Sequence, residues 1–172
     1  MRKAISDEVN GMLQEEVVYV CPLGLSPNCE RFETIEKPFT NHHIDLNHAN
    51  SDYWNLIRIC EPCHREHNRR KNDGNLQRRI KLRKKNLALQ YFGPLAISVL
   101  RMSYLYKATS AMPAMVLRLL EKKYLEIAND NSFSAGACYH VTMQDYKITQ
   151  KGKDLIEKLL GPTETEKDTF AL

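Results

Sequence analysis

The chain has 172 residues, 42% hydrophobic and 27% charged, a globular composition that excludes a fully disordered chain. A chain of this length forms one or two small domains and buries roughly 70% of its unfolded surface, so it needs no disulfide framework. The longest near-continuous apolar run, Tyr91 to Leu100, already contains Gly93 and Pro94 and is about half the length that crosses a bilayer, so no membrane span and no membrane partner are expected.

The N-terminal stretch "MRKAISDEVNGML" is polar and mixed in charge. It lacks the apolar core of a signal peptide, so the chain is expected in the cytoplasm. Net charge is +4, but unevenly spread. Between His64 and Asn86, ten Lys/Arg stand against Glu66 and Asp73, a local +8, and the rest of the chain is −4. Such a block reads either as a solvated helix face or as a footprint for a polyanion.

In chain order, residues 1–18 read as a helical or loosely ordered leader. Residues 19–40 carry Pro22, Gly24 and Pro27, a turn-rich loop between cysteines with a short strand after it. "NHHIDLNHANSDYW" is rich in turn formers, and "NLIRIC" reads as a strand. Pro62 suits the first turn of a helix that runs to the Asn-Asp-Gly break at 72–74. Residues 74–90 read as a basic helical connector, because Ile80, Leu82, Leu87 and Leu89 make no clean stripe. "GPLAISVLRMSYLYK" reads as an apolar helix. A second helix puts Met115, Val116, Leu119 and Leu120 on one face and passes into a strand. "NDNSFSAG" is a turn-rich tip, "ACYHVTM" and "YKIT" read as strands, and a last helix follows with Thr149 as N-cap. Residues 161–172 form a polar tail. The expected class is α+β, a small first domain followed by a mostly helical one.

Five cysteines are present, and Cys138 stands alone. Cys21 and Cys29 are spaced C-x7-C, and Cys60 and Cys63 are spaced C-x2-C. In a reducing compartment paired cysteines point to metal rather than to disulfides. Four thiolates can close a tetrahedral structural Zn²⁺ site, and short chelate loops lower the entropy cost of assembling it.

Five of the six histidines lie between positions 42 and 67. Adjacent residues of an extended segment point to opposite sides, so one of His42 and His43 can grip a metal while the other faces substrate. His64 and His67 are spaced i, i+3 and can share one helix face.

The order "NHHID…NLIRICEPCHREH", with Cys21 and Cys29 upstream, resembles the HNH endonuclease family and its ββα-metal site over residues 19–73. The resemblance implies a metal-dependent endonuclease hydrolysing double-stranded DNA. His42 and His64 would be ligands of a catalytic divalent ion, with His67 as a further ligand. His43 would be the general base, and Asn55 the residue that holds the loop. The ion would be Mg²⁺, Mn²⁺, Ni²⁺ or Zn²⁺. Two departures stand out. The family's Pro and Gly-Gly pair after the base are absent, so His48 or Asp45 could take part instead. The second helical His often lies one position later, where this chain has Asn68.

Next to such a site the basic block has a use. Arg65, Arg69, Arg70, Lys71, Arg78 and Arg79 are candidates for DNA phosphate contact. Residues 91–160 resemble a winged helix-turn-helix domain, whose recognition helix would be about Pro113–Lys122. That domain could instead pack on the nuclease, form a homodimer or bind a partner protein. The competing reading of the whole chain is a catalytically inactive, zinc-stabilised DNA-binding regulator on an HNH scaffold.

Overall fold

The computed structural model describes residues 4–17, 19–106, 109–111, 113–129, 132–134, 140–142 and 144–161. They fall into two compact units, Met1–Tyr91 and Phe92–Leu172. Among the described residues, helices and small antiparallel sheets alternate, which is the expected mixed class. None of the described helices is long and apolar enough to cross a membrane.

The first unit opens with helix α1, Asp7–Glu16. Ser6 caps it by accepting the Val9 N–H at 3.3 Å, and Met12 and Leu13 are buried. Within the expected leader, Asp7–Glu16 is thus a packed helix. Strands β1, Thr40–His43, and β2, Leu56–Ile59, form an antiparallel hairpin in which His42 faces Ile57 and His43 faces Leu56 across the ladder. Leu56, Ile57 and Ile59 are all buried, so β2 is covered on both faces. Each such side chain contributes roughly 1.5–3 kcal/mol. Helix α2, Glu61–Arg69, starts directly from β2 with Cys60 at its cap and Pro62 in its first turn. It ends before the break expected at 72–74.

Helix α3, Gly74–Phe92, differs from the connector expected at 74–90. Leu76, Ile80, Lys84, Leu87, Ala88 and Tyr91 are buried along one side. That is a regular i, i+4 face whose middle member is a lysine, while Leu82 is exposed. Leu76, Ile80 and Leu87 share a core with Phe39, Ile44, Ile57, Ile59, Cys60 and Cys63. The stripe was hidden because a charged side chain occupies its centre.

The Lys84 ammonium lies 2.5 Å from Glu16 Oε2 and 3.5 Å from the centre of the Tyr53 ring, and the Tyr53 hydroxyl donates to Glu16 Oε1 at 2.7 Å. Burial pulls Lys84 down to about 8 and pushes Glu16 up, although each partially offsets the other's penalty.

In the second unit, helix α4, Pro94–Tyr106, precedes strand β3, Thr109–Ala111, and helix α5, Pro113–Glu121. Strands β4, Leu125–Asn129, β5, Ser132–Ser134, β6, His140–Thr142, and β7, Gln144–Ile148, lead to helix α6, Gln150–Leu160. The three-stranded sheet has the order β3-β7-β4, and β5 pairs with β6. Three-residue β3 has no alternating pattern to betray it. On α5, Val116 and Leu119 are buried, as that helix's pattern predicts. Thr149 does cap α6, accepting the Gly152 N–H at 3.1 Å. A Cβ on Gly152 would lie 2.2 Å from the Tyr124 carbonyl oxygen, so only glycine lets α6 approach β4 so closely. Cys138, part of the expected strand "ACYHVTM" and residues 162–172 of the tail lie outside the described residues.

Candidate metal centre and histidine cleft

Cys21, Cys29, Cys60 and Cys63 converge, with their sulfurs all within 4.8 Å of one another. Among the described residues they are the one set of three or more ligating atoms gathered so closely. Cys29 Sγ and Cys60 Sγ are 3.8 Å apart. A tetrahedron with bonds of about 2.3 Å has edges of about 3.8 Å, so the separation suits four thiolates on one Zn²⁺.

The backbone is arranged for sulfur anions. The Leu25 N–H donates to Cys63 Sγ at 3.2 Å. Burial raises the Cys21 thiol, but the N–H groups of Cys60, Leu23 and Gly24 outweigh it and hold the thiol below its ordinary value. Gly24 adopts φ +56° in this turn, a conformation open to glycine. Burial lifts Cys60 to about 11 and drives Cys29 up as well. The thiolate rather than the thiol is the metal ligand, so a bound dication would favour ionised sulfurs here. These four residues form a group able to hold a metal such as a structural zinc.

The histidines gather one helical turn further along α2. His42 Nε2 is 2.5 Å from His67 Nδ1, and the His42 ring centre is 4.4 Å from that of His64. His42 and His67 are buried, and His64 is half-buried. Burial, then the neighbouring imidazoles, pulls His42 down to about 3, and burial also lowers His67. Both rings are therefore neutral near pH 7 and carry lone pairs. His64 Nδ1 faces Glu61 Oε2 at 3.2 Å, and His67 Nε2 faces the Gln77 amide at 2.7 Å. Second partners of this kind fix imidazole tautomers around a cation. The ring nitrogens of His42 and His67 thus form one tight pair, with His64 beside it.

His43 sits next along β1. Its ring centre is 4.8 Å from that of His48. Both line a cleft of about 360 Å³ together with Asn41, His42, His64 and the segment before α1.

Asn55 ties down the intervening loop. Its Oδ1 accepts the Asp45 N–H at 3.0 Å, and its Nδ2 donates to Asp45 Oδ1 at 2.7 Å and to the Asn50 carbonyl at 2.8 Å. Burial would raise Asp45, but the Asn47 N–H and the Asn55 and Asn50 amides outweigh it and keep the carboxylate ionised. The loop lacks glycine, and Leu46 takes the left-handed conformation instead, at φ 60°, at a cost of about 1–2 kcal/mol. Asp45 is thereby committed to the loop, whereas His48 reaches the cleft.

Of the basic residues proposed for DNA, Arg65, Arg69, Lys71, Arg78 and Arg79 are exposed and Arg70 is half-buried. Arg69 grips Glu66 at 2.7 and 3.0 Å, Arg70 meets Asp73 at 2.5 Å, and Arg65 lies 3.7 Å from Glu61. Exposed pairs of this type contribute about 0–1 kcal/mol. Lys84 is the exception within the block, since it is buried in the core. Glu61, Gln77 and the Glu16–Lys84 pair left no local mark in the sequence. Gln77 lies on α3, and only the fold brings it beside α2.

No protein-family model, curated protein or solved structure matches this chain.

Proposed function

We propose that this chain is a metal-dependent HNH-type endonuclease that hydrolyses double-stranded DNA. The observation that carries this reading is the convergence of His42, His64 and His67 beside a cleft lined by His43, with Asn55 pinning the loop between them. His42, His64 and His67 would hold a divalent ion, which when bound supplies charge relief to the phosphate and to the leaving oxygen. His43 accepts the proton of a water as its oxygen attacks phosphorus. The P–O3′ bond breaks, and the departing oxygen takes a proton from solvent. Asn55 keeps His43 and His48 at the cleft by holding the loop. Lys71, Arg78 and Arg79 carry the duplex by its phosphates, an attraction that weakens with salt. The four cysteines hold a structural zinc that fixes where α2 begins. The second unit is a winged-helix-like docking domain.

The test is a supercoiled plasmid incubated with Mg²⁺, Mn²⁺, Ni²⁺ or Zn²⁺, with wild-type protein or His43→Ala. Wild type should nick or linearise the plasmid. The variant should lose about 10²–10⁴-fold in rate while still retarding DNA in a gel. Equal cleavage by both proteins, or none with any metal, would overturn the enzyme reading. Retardation without cleavage would instead favour an inactive DNA-binding regulator.

A further inference from the structure

The three imidazoles differ in how ready they are for a cation. His64 has its Nδ1 toward the Glu61 carboxylate at 3.2 Å, so its proton belongs on Nδ1 and its lone pair on Nε2. His42 has Nε2 toward His67 and a buried Nδ1 with no hydrogen-bond partner. His67 is set the other way. The Gln77 amide nitrogen lies 2.7 Å from its Nε2, and an amide nitrogen only donates. Nε2 must then accept, which puts the ring proton on Nδ1, in the gap toward His42.

At 2.5 Å the His42 and His67 nitrogens are closer than the roughly 2.9–3.4 Å that two imidazole ligands keep around one cation with bonds of about 2.0–2.1 Å. With the Gln77 nitrogen at Nε2, the proton in this gap is the one that His67 Nδ1 donates to His42 Nε2. The proton occupies the place where the two lone pairs would meet a metal.

Gln77 can remove that obstacle without leaving its position. Its Oε1 is buried and has no hydrogen-bond partner. A half-turn of the amide puts Oε1 where the nitrogen stands, and Oε1 then accepts a proton from His67 Nε2. We propose that Gln77 is a positioning residue whose amide sets the His67 tautomer, so that a cation enters the histidine cluster only with the amide turned and the ring proton moved from Nδ1 to Nε2. An amide is suited to this because it serves either tautomer. A carboxylate would hold the binding form, and an apolar side chain would hold neither. The inference rests on the reading that His42, His64 and His67 bind a divalent ion.

Two measurements test it on the full chain with its cysteine zinc in place. The first is the ¹⁵N spectrum of histidine-labelled protein, in which protonated and bare ring nitrogens differ, recorded without added cation. Wild type should carry the His67 proton on Nδ1, and Gln77→Glu should carry it on Nε2. The second is Mn²⁺ affinity. Gln77→Glu should bind about tenfold tighter or more, and Gln77→Leu about 10–100-fold weaker, the range usual for outer partners of a metal-bound histidine. Glu also adds charge, which is why the tautomer is read before cation is added. A wild-type His67 proton on Nε2, or the same tautomer in wild type and Gln77→Glu, would overturn the role of Gln77 and leave the metal reading standing. Absence of Mn²⁺ binding by wild type would overturn both.

Discussion

One short helix, α2, contributes to a cluster of four cysteines and to a cluster of three histidines, and they are built on opposite principles. Cys60 and Cys63 at its start join Cys21 and Cys29 in a set whose sulfurs are all mutually close and whose backbone donors already point at them. His64 and His67, in the next turn, join His42 in a looser set that lines or adjoins a cleft. The first cluster is closed and has no room for a substrate. The second, on the proposed reading, would leave positions open. A site that only holds the fold together can saturate its cation, and a site that does chemistry must not.

That contrast can be broken most forcefully at the cysteines. Cys60→Ser should lose zinc and leave the first unit unfolded, because zinc binding is itself folding free energy. Elemental analysis and a thermal melt would show it. Retention of metal and an unchanged melting temperature would mean that the cysteines are merely small buried side chains.

A third buried polar group sets a scale without any metal. Lys84→Ala would strand Glu16 in the core and should cost about 3–5 kcal/mol in urea unfolding. Glu16→Leu combined with Lys84→Met should recover most of it. If the duplex is held as proposed, neither change should alter the salt dependence of that binding, whereas Arg78→Ala should lower its slope.

Acid separates the clusters more gently. His42 is held down to about 3 and His67 is also lowered, so below the ordinary imidazole value the unfolded chain binds more protons than the folded one. Stability without a cation at the histidines therefore falls as pH drops from about 6.5 toward 3. The loss from His42 is on the order of 3 kcal/mol by pH 4. His42→Asn should flatten that slope in urea melts across this range.

The sequence made the four-Cys group and the α2 start legible, because C-x2-C and Pro62 are local signals. Thr149 and the Val116/Leu119 face were legible for the same reason. The α3 face was not, since Lys84 interrupts its apolar stripe and its partner Glu16 lies 68 residues away. His67's proximity to His42 was only half legible. Helical spacing allows it, but the hairpin register that carries His42 to α2 is a long-range fact. Gln77 was invisible, because a lone glutamine on a basic helix carries no pattern.

The most direct test of two separate centres on one helix is a count. Native mass spectrometry of the chain with saturating Zn²⁺ should give two ions per wild-type chain, one in His42→Ala, and none in Cys60→Ser, whose first unit is unfolded. A single ion in both wild type and His42→Ala would contradict the account and reduce the histidine cluster to hydrogen-bonded packing.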